Sequence, residues 1–310
     1  MKVLVTGASG FVGPAACRAL IAAGHRVAAA VRRPESAPAG TEARPIGDLG
    51  PECDWSAALA GMDSVVHLAA RAHVMNDRAS DPLALFRHIN RDGTIRLAEQ
   101  AAAAGISRFV FVSTIKVNGE ATFDRPFRPD DCPAPQDPYG IAKAEAEAAL
   151  AAIAARTGME YVVVRPPLMH GPGAKGNLAT LLRVLGRGIP LPLGAIRNRR
   201  HLLGIDNLGH LLALCLGHPD AAGRVLLACD GEAVSTPELL RRLGDALGRP
   251  ARLLPVPPSW LRAAAALLGR GAAVDRLTQS LEVDDSITRQ TLGWTPPLSL
   301  DAGLRLMAGR

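Results

Sequence analysis

Short, unbroken apolar runs recur along the first half of the chain, at residues 3–6, 26–31, 64–68, 109–113 and 161–165. Strands covered on both faces read this way; a strand with one wet face would alternate. Between the runs lie Ala- and Leu-rich stretches of helical character, at 14–23, 54–60, 83–104 and 138–157. Gly105 and Gly158 stand where helix C-caps are expected, each just ahead of the next run. This alternation predicts an α/β fold, a doubly wound parallel sheet with helices on both faces. After Arg165 the texture changes. Pro166-Pro167 and Gly171-Pro172-Gly173 break the rhythm, and shorter helices, weaker strands and Pro-rich turns follow. The chain is therefore divided into residues 1–168 and a smaller region, 169–310. Segments around 200–230 of the second are expected to pack back on the first.

Composition narrows the class. The 310 residues are 48% hydrophobic and 21% charged, which excludes a disordered or fibrous chain. The five cysteines are odd in number and form no CxxC pair, so neither a disulfide framework nor a zinc ribbon is expected. No histidine spacing suggests a metal. No apolar run approaches the ~18–20 residues of a spanning helix. The chain leads from Met1-Lys2 straight into a strand and a glycine turn, so no signal peptide is read there and a cytoplasmic protein is expected. The formal charge of +6 asks for an anionic ligand. Aromatics are only 4%, too few for base-stacking platforms, so no nucleic acid is expected as partner; with no spanning run, no membrane is expected either.

The first candidate site is Gly7-Ala8-Ser9-Gly10-Phe11-Val12-Gly13, which follows a strand and opens a helix. Gly7 permits the tight turn, Gly10 lets backbone approach a pyrophosphate, and Gly13 lets helix pack on strand. The helix N-terminus offers free N–H groups to the phosphates. Ser9, Phe11 and Val12 complete this candidate cofactor contact. The second strand then speaks to the cofactor. A carboxylate at its end would hold a ribose 2′-OH, but Arg32-Arg33 stand there instead, suited to a 2′-phosphate. NADP(H) is thus favoured, with NAD(H) possible. Asp48 and Leu49 are candidates for the adenine edge, and Leu68, Ala69 and Ala70 for a backbone lining; Pro166 is a further cofactor candidate.

The second candidate site is Tyr139-Gly140-Ile141-Ala142-Lys143. Asp137 can cap a helix whose first position suits Pro138, so Tyr139 and Lys143, four apart, share a face. An ammonium nearby is expected to lower the phenol pKa from about 10 toward the working range. The chain has only two Tyr. Ser113-Thr114 ends the fourth run, at the carboxyl edge where open α/β sheets bind ligands, and offers a hydroxyl to the substrate oxygen.

These stretches together resemble the extended short-chain dehydrogenase/reductase family, in its NAD-dependent epimerase/dehydratase branch. The resemblance rests on TGASGFVG at 6–13, HLAA at 67–70, the helix segment at 90–93, VSTIKVNG at 112–119, YGIAK at 139–143, RPPLMHGPG at 165–173 and LGWTP at 292–296. It implies a Rossmann-type sheet with a C-terminal substrate-binding region, and a catalytic set of Thr114, Tyr139 and Lys143. Asn118 stands where family members often carry Tyr. The nucleotide-sugar branch is the most similar. It implies a UDP-sugar substrate contacted by Lys116, Asn118, Asn177, Arg200 and Arg276, with a homodimer through the two long helices. The chain is similar to bacterial UDP-4-keto-6-deoxyhexosamine 4-reductases and UDP-sugar 4-epimerases. The Arg pair favours exchangeable NADPH and hence the reductase, with the epimerase as alternative.

Overall fold

The strands, numbered in chain order, are β1 (Lys2–Thr6), β2 (Arg26–Val31), β3 (Glu42–Pro45), β4 (Ser64–His67), β5 (Arg108–Val112), β6 (Glu160–Arg165), β7 (Leu168–His170), β8 (Arg200–Gly204), β9 (Arg224–Leu227) and β10 (Ala233–Val234). The computed structural model describes residues 1–72, 81–174, 176–267 and 271–309, with only the backbone at 177, 264, 265, 267, 272 and 273. Seven strands form one sheet in the order β3-β2-β1-β4-β5-β6-β9, every pair parallel. The order reverses between β1 and β4, and the crevice beyond their carboxyl ends is where such sheets bind ligands.

Alternate residues of each strand feed opposite layers. Val3 and Val5 face a layer with Ala16, Cys17 and Leu20 of the helix Gly13–Ala22 and Leu208, Leu211 and Leu212 of the helix Ile205–Gly217. Leu4, Phe109 and Phe111 face the other, with Leu97 and Ala98 of the helix Gly93–Ala103 and Leu150 and Ile153 of the helix Pro138–Thr157. Both faces are dry, which is why the strands read as unbroken apolar runs. β3 does not read so: its Glu-Ala-Arg-Pro composition is tolerated because it is an edge strand.

The second half returns to the first. β9 closes the sheet beyond β6, and the helix Ile205–Gly217 covers one face, so residues 205–227 belong physically to the sheet layers. β7, β8 and β10 form a smaller sheet. A third apolar cluster, with Leu178, Leu185, Leu193, Leu240, Leu243 and Leu304, fills the outer lobe. Buried Asp230 ties these parts: it accepts from His170 Nε2 (2.5 Å), Gly204 N (2.9 Å) and Asn207 Nδ2 (2.7 Å).

Two helices position chemistry. Pro138–Thr157 is capped by Asp137, which accepts from Gly140 N at 2.7 Å, and ends on Gly158 at φ 77°. The stretch expected as one helix at 83–104 is Pro82–Phe86, a π turn Arg87–Asp92, and Gly93–Ala103. π turns inside helices gather at functional sites. This one turns buried Asn90 toward the loop after β4, where its amide bonds Arg71 N (2.8 Å) and Arg71 O (3.0 Å).

Candidate active site

The glycine turn leaves a cradle that only glycine permits. Gly7 has φ +67°, and a Cβ there would stand 2.7 Å from Ala69 N. A Cβ at Gly13 would stand 2.1 Å from Ala8 O, so helix and turn could not close up. The helix begins behind Val12 with no side-chain cap, leaving its first N–H groups to a ligand. Leu68, Ala69 and Ala70 follow β4 across the crevice. These features fit the pyrophosphate of a dinucleotide. Arg32 and Arg33 follow β2, with side chains about three-quarters exposed; Arg32 Nη1 stands 3.4 Å from Asp48 Oδ1, and Arg33 Nε 3.8 Å from Glu35. Asp48 thus reaches Arg32, a contact that spacing alone does not show.

Beneath the cradle runs a chain of buried hydrogen bonds. Thr94 Oγ1 donates to Asn90 O at 2.7 Å, so it accepts from His67 Nε2 at 3.0 Å. His67 Nδ1 is then bare and accepts from Thr6 Oγ1 at 2.6 Å, while Thr6 Oγ1 accepts from Ala69 N at 3.2 Å. The chain is complete only with a neutral imidazole. Burial, and secondarily the charge of Lys143, pulls its pKa down to about 3. An unfolded imidazole takes a proton near pH 6.5 and the folded one does not, so stability falls as pH drops from 6.5 toward 3. The apo protein is expected to lose about 2 kcal/mol from this group between pH 7 and pH 5. Urea unfolding at both pH values checks it; a His67→Gln variant that keeps the same loss contradicts the assignment.

The reactive side chains converge beside this chain. The Tyr139 ring meets Phe86 edge-on, centroids 6.0 Å apart. Burial, then the Asp137 carboxylate, pushes its phenol above the ordinary value. This differs from the expectation that Lys143 lowers it. Lys143 is fully buried, donates from Nζ to Val112 O at 2.7 Å, and lies 3.9 Å over the Phe111 ring. Burial pulls its pKa down to about 7, against the raising effect of Glu147. Its charge is spent on a carbonyl and a ring rather than on the phenol. Thr114 is extended (φ −159°, ψ 148°) and accepts from Lys116 N at 3.3 Å, a bond that uses a lone pair and leaves its O–H to donate. Buried Ser113 Oγ next to it has no partner. An orphaned hydroxyl at Ser113, beside the Thr114 of the expected catalytic set, suits a ligand oxygen.

The substrate candidates fare differently. Lys116 Nζ bonds both Glu120 (2.8 Å) and Asp137 (2.5 Å). Burial works to lower its pKa, but the two carboxylates outweigh it and raise it. Asn118 has internal partners: Nδ2 donates to Arg128 O (2.8 Å) and Oδ1 accepts from Arg165 Nη1 (3.0 Å). One N–H and one lone pair of its amide are thus engaged within the protein, and one of each is left over. The Arg165 guanidinium in turn grips Glu147, both buried. Arg200 Nη1 donates to Arg276 O (2.9 Å) and Gln279 O (3.0 Å). Burial lowers the Arg200 pKa, while the Glu120 carboxylate opposes this, so Arg200 and the Lys116 cluster share one electrostatic neighbourhood. Arg276 lies in the helix Gly271–Thr278 and is brought to Arg200 through its carbonyl. Asn177 lies in the helix Gly176–Gly186; its side chain is outside the described residues. Arg199 pairs with Glu282 at 2.8 Å on the surface. Among the described residues no group of three or more His, Cys, Asp and Glu is arranged for a metal.

Comparison with known proteins places the chain among related sequences and folds. A family model described as "NAD dependent epimerase/dehydratase family" matches residues 3–228. A UDP-glucose 4-epimerase of Vibrio cholerae is 44% identical, covering 99% of this chain and 94% of its own. A 2-alkyl-3-oxoalkanoate reductase of Stenotrophomonas maltophilia is 34% identical, covering 81% and 77%. Among solved structures, the UDP-glucuronic acid 4-epimerase of Bacillus cereus in complex with UDP-glucuronic acid and NAD superposes with a TM-score of 0.80 at 23% identity, covering 100% and 98%. That last likeness concerns the fold.

Proposed function

The chain belongs to the NAD dependent epimerase/dehydratase family, and from that premise we propose that it is a UDP-sugar 4-epimerase. The observation that carries the reading is the 44% identity to a UDP-glucose 4-epimerase over 99% of the chain. This favours the epimerase over a net 4-keto reductase. The two share one site, because epimerisation is oxidation at C4 followed by reduction on the other face. A bound nicotinamide dinucleotide supplies the hydride acceptor and donor. The protein supplies the rest. Tyr139 takes the C4 hydroxyl proton and later returns it. Thr114 donates to the same oxygen and holds it in place. Lys143, pulled toward a pKa of about 7, moves charge cheaply near neutrality. The half-buried Arg200, in the family's Arg position, serves the diphosphate as a permanently charged fork.

The test uses UDP-glucose and UDP-galactose with no added cofactor. Interconversion supports the reading. Stoichiometric NADPH consumption by a UDP-4-keto sugar, with no interconversion, overturns it.

We infer further that Arg32 and Arg33 accept an adenosine 2′-phosphate, making NADP(H) preferred although NAD(H) fits. Both arginines are exposed, and among the described residues their side chains make long surface ion pairs. An epimerase recycles its dinucleotide, so the preference shows in occupancy. Titration of the apo protein is expected to give about tenfold tighter NADP than NAD, a charge-assisted bond's worth. The Arg32→Asp/Arg33→Asp variant is expected to reverse the order. Equal binding of both dinucleotides by the wild type contradicts it.

A further inference from the structure

We propose that the outer face of the C-terminal lobe seats the protein on an anionic membrane surface. Large apolar side chains stand in water there: Trp260 is 72% exposed, Leu254 50% and Ile189 45%. They are joined by backbone. Leu191 N donates to Arg252 O and Leu254 N to Leu191 O, both at 2.8 Å, so the ribbons carrying Ile189 and Leu254 run side by side. Val256 N donates to Leu254 O at 2.9 Å and turns the chain into the helix Pro258–Leu267, which presents Trp260 in its first turn. Leu261, the next residue, packs on the lobe's core, while Trp260 remains outside.

Charge selects the partner. Residues 161–205 and 246–274 contain no Asp or Glu, yet they carry eleven Lys and Arg. Of these, Arg165 is buried against Glu147, Arg199 pairs with Glu282 and Arg200 belongs to the candidate site, so the exposed cations that bear on this face are fewer. Arg187, Arg252 and Arg262 are exposed among the apolar residues. Arg262 has Asp275 at 3.8 Å, a long pair in water. An indole with arginines around it is the chemistry of a headgroup interface: the ring enters, and the guanidiniums stay with the phosphates. A second copy of this chain would bring the same cations face to face, which argues against self-association. No helix among the described residues is long and apolar enough to cross a membrane. Lying on a surface requires one apolar face only.

The proposal does not rest on the epimerase reading, and its test does not use turnover. The full chain is sedimented with vesicles of phosphatidylcholine alone or with one-third phosphatidylglycerol. Trp55 and Trp294 are buried, so a blue shift of the tryptophan emission reports Trp260. Binding to the anionic vesicles is expected to be at least about tenfold tighter than to neutral ones, and to weaken as salt rises. Trp260→Ser is expected to remove the emission shift, and Arg252→Glu to weaken anionic binding; neither side chain is in the core. No sedimentation with anionic vesicles, or binding unchanged by both substitutions, overturns the proposal. So does a dimer in vesicle-free buffer that Trp260→Ser dissociates, since the face would then be a self-contact.

Discussion

Tyr139→Phe is expected to lower kcat for C4 epimerisation by about 10²–10⁴, the usual share of a positioned acid–base group, or roughly 3–5 kcal/mol of barrier. The substitution removes one oxygen and keeps the ring. The edge-on packing against Phe86 at 6.0 Å therefore survives, and so does the helix start capped by Asp137. KM and dinucleotide content are expected to change little. In the apo site the phenol is held protonated, because burial and Asp137 both disfavour the phenolate. It is thus poised as an acid, and acts as a base only once positive charge is brought to it. Progress curves with UDP-glucose, beside absorbance of the bound dinucleotide, check the prediction. Activity within tenfold of wild type at equal cofactor content would remove Tyr139 from the mechanism.

The second large effect concerns stability. Arg165, at the end of β6, meets Glu147 on the helix Pro138–Thr157 through Nε (3.0 Å to Oε1) and Nη2 (2.6 Å to Oε2), and Asn118 takes Nη1. Both partners are buried, with 4% and 7% exposure. Glu147→Ala leaves a guanidinium without its counter-charge and is expected to destabilise the fold by about 3–5 kcal/mol. The paired variant Glu147→Leu/Arg165→Met removes both charges together and is expected to lose less than Glu147→Ala alone. Urea midpoints of the two variants decide it. If the double variant is the less stable, the pair contributes more than the burial of its charges takes away. Glu147 also stands one turn after Lys143 and holds its pKa up. In Glu147→Ala the lysine should titrate still lower, so residual activity would change its pH profile as well.

The local steps of this fold are written in short-range patterns. Apolar runs mark β1, β2 and β4 to β6 because both faces of the sheet are covered, and Asp137-Pro138 with Gly158 bounds the helix that carries Tyr139 and Lys143 within its first turns. The glycines at 7, 10 and 13 need only a strand before them and a helix after. β3 and β9 were faint for a physical reason. One is a charged edge strand and the other a short run far along the chain, and each is held by a neighbour the sequence does not display. The π turn at Arg87–Asp92 was equally hidden, since its register depends on Asn90 finding the backbone of Arg71.

Which side chains are candidates for the crevice was therefore a matter of sequence; what each of them touches was decided by tertiary structure. Spacing puts Tyr139 and Lys143 on one helix face, but the lysine's charge goes to Val112 O and the Phe111 ring, both from β5. The family resemblance offers Lys116 and Asn118 to a substrate, and folding brings Glu120 and Asp137 to the first and Arg165 to the second. The net charge of +6 is a sequence fact, while the exposure of Trp260 and of Arg252 and Arg262 is a fact of packing. The reason is the same in each case. Backbone preference acts over a few residues, whereas desolvation and pairing depend on every group within a few ångströms, and those come from distant parts of the chain.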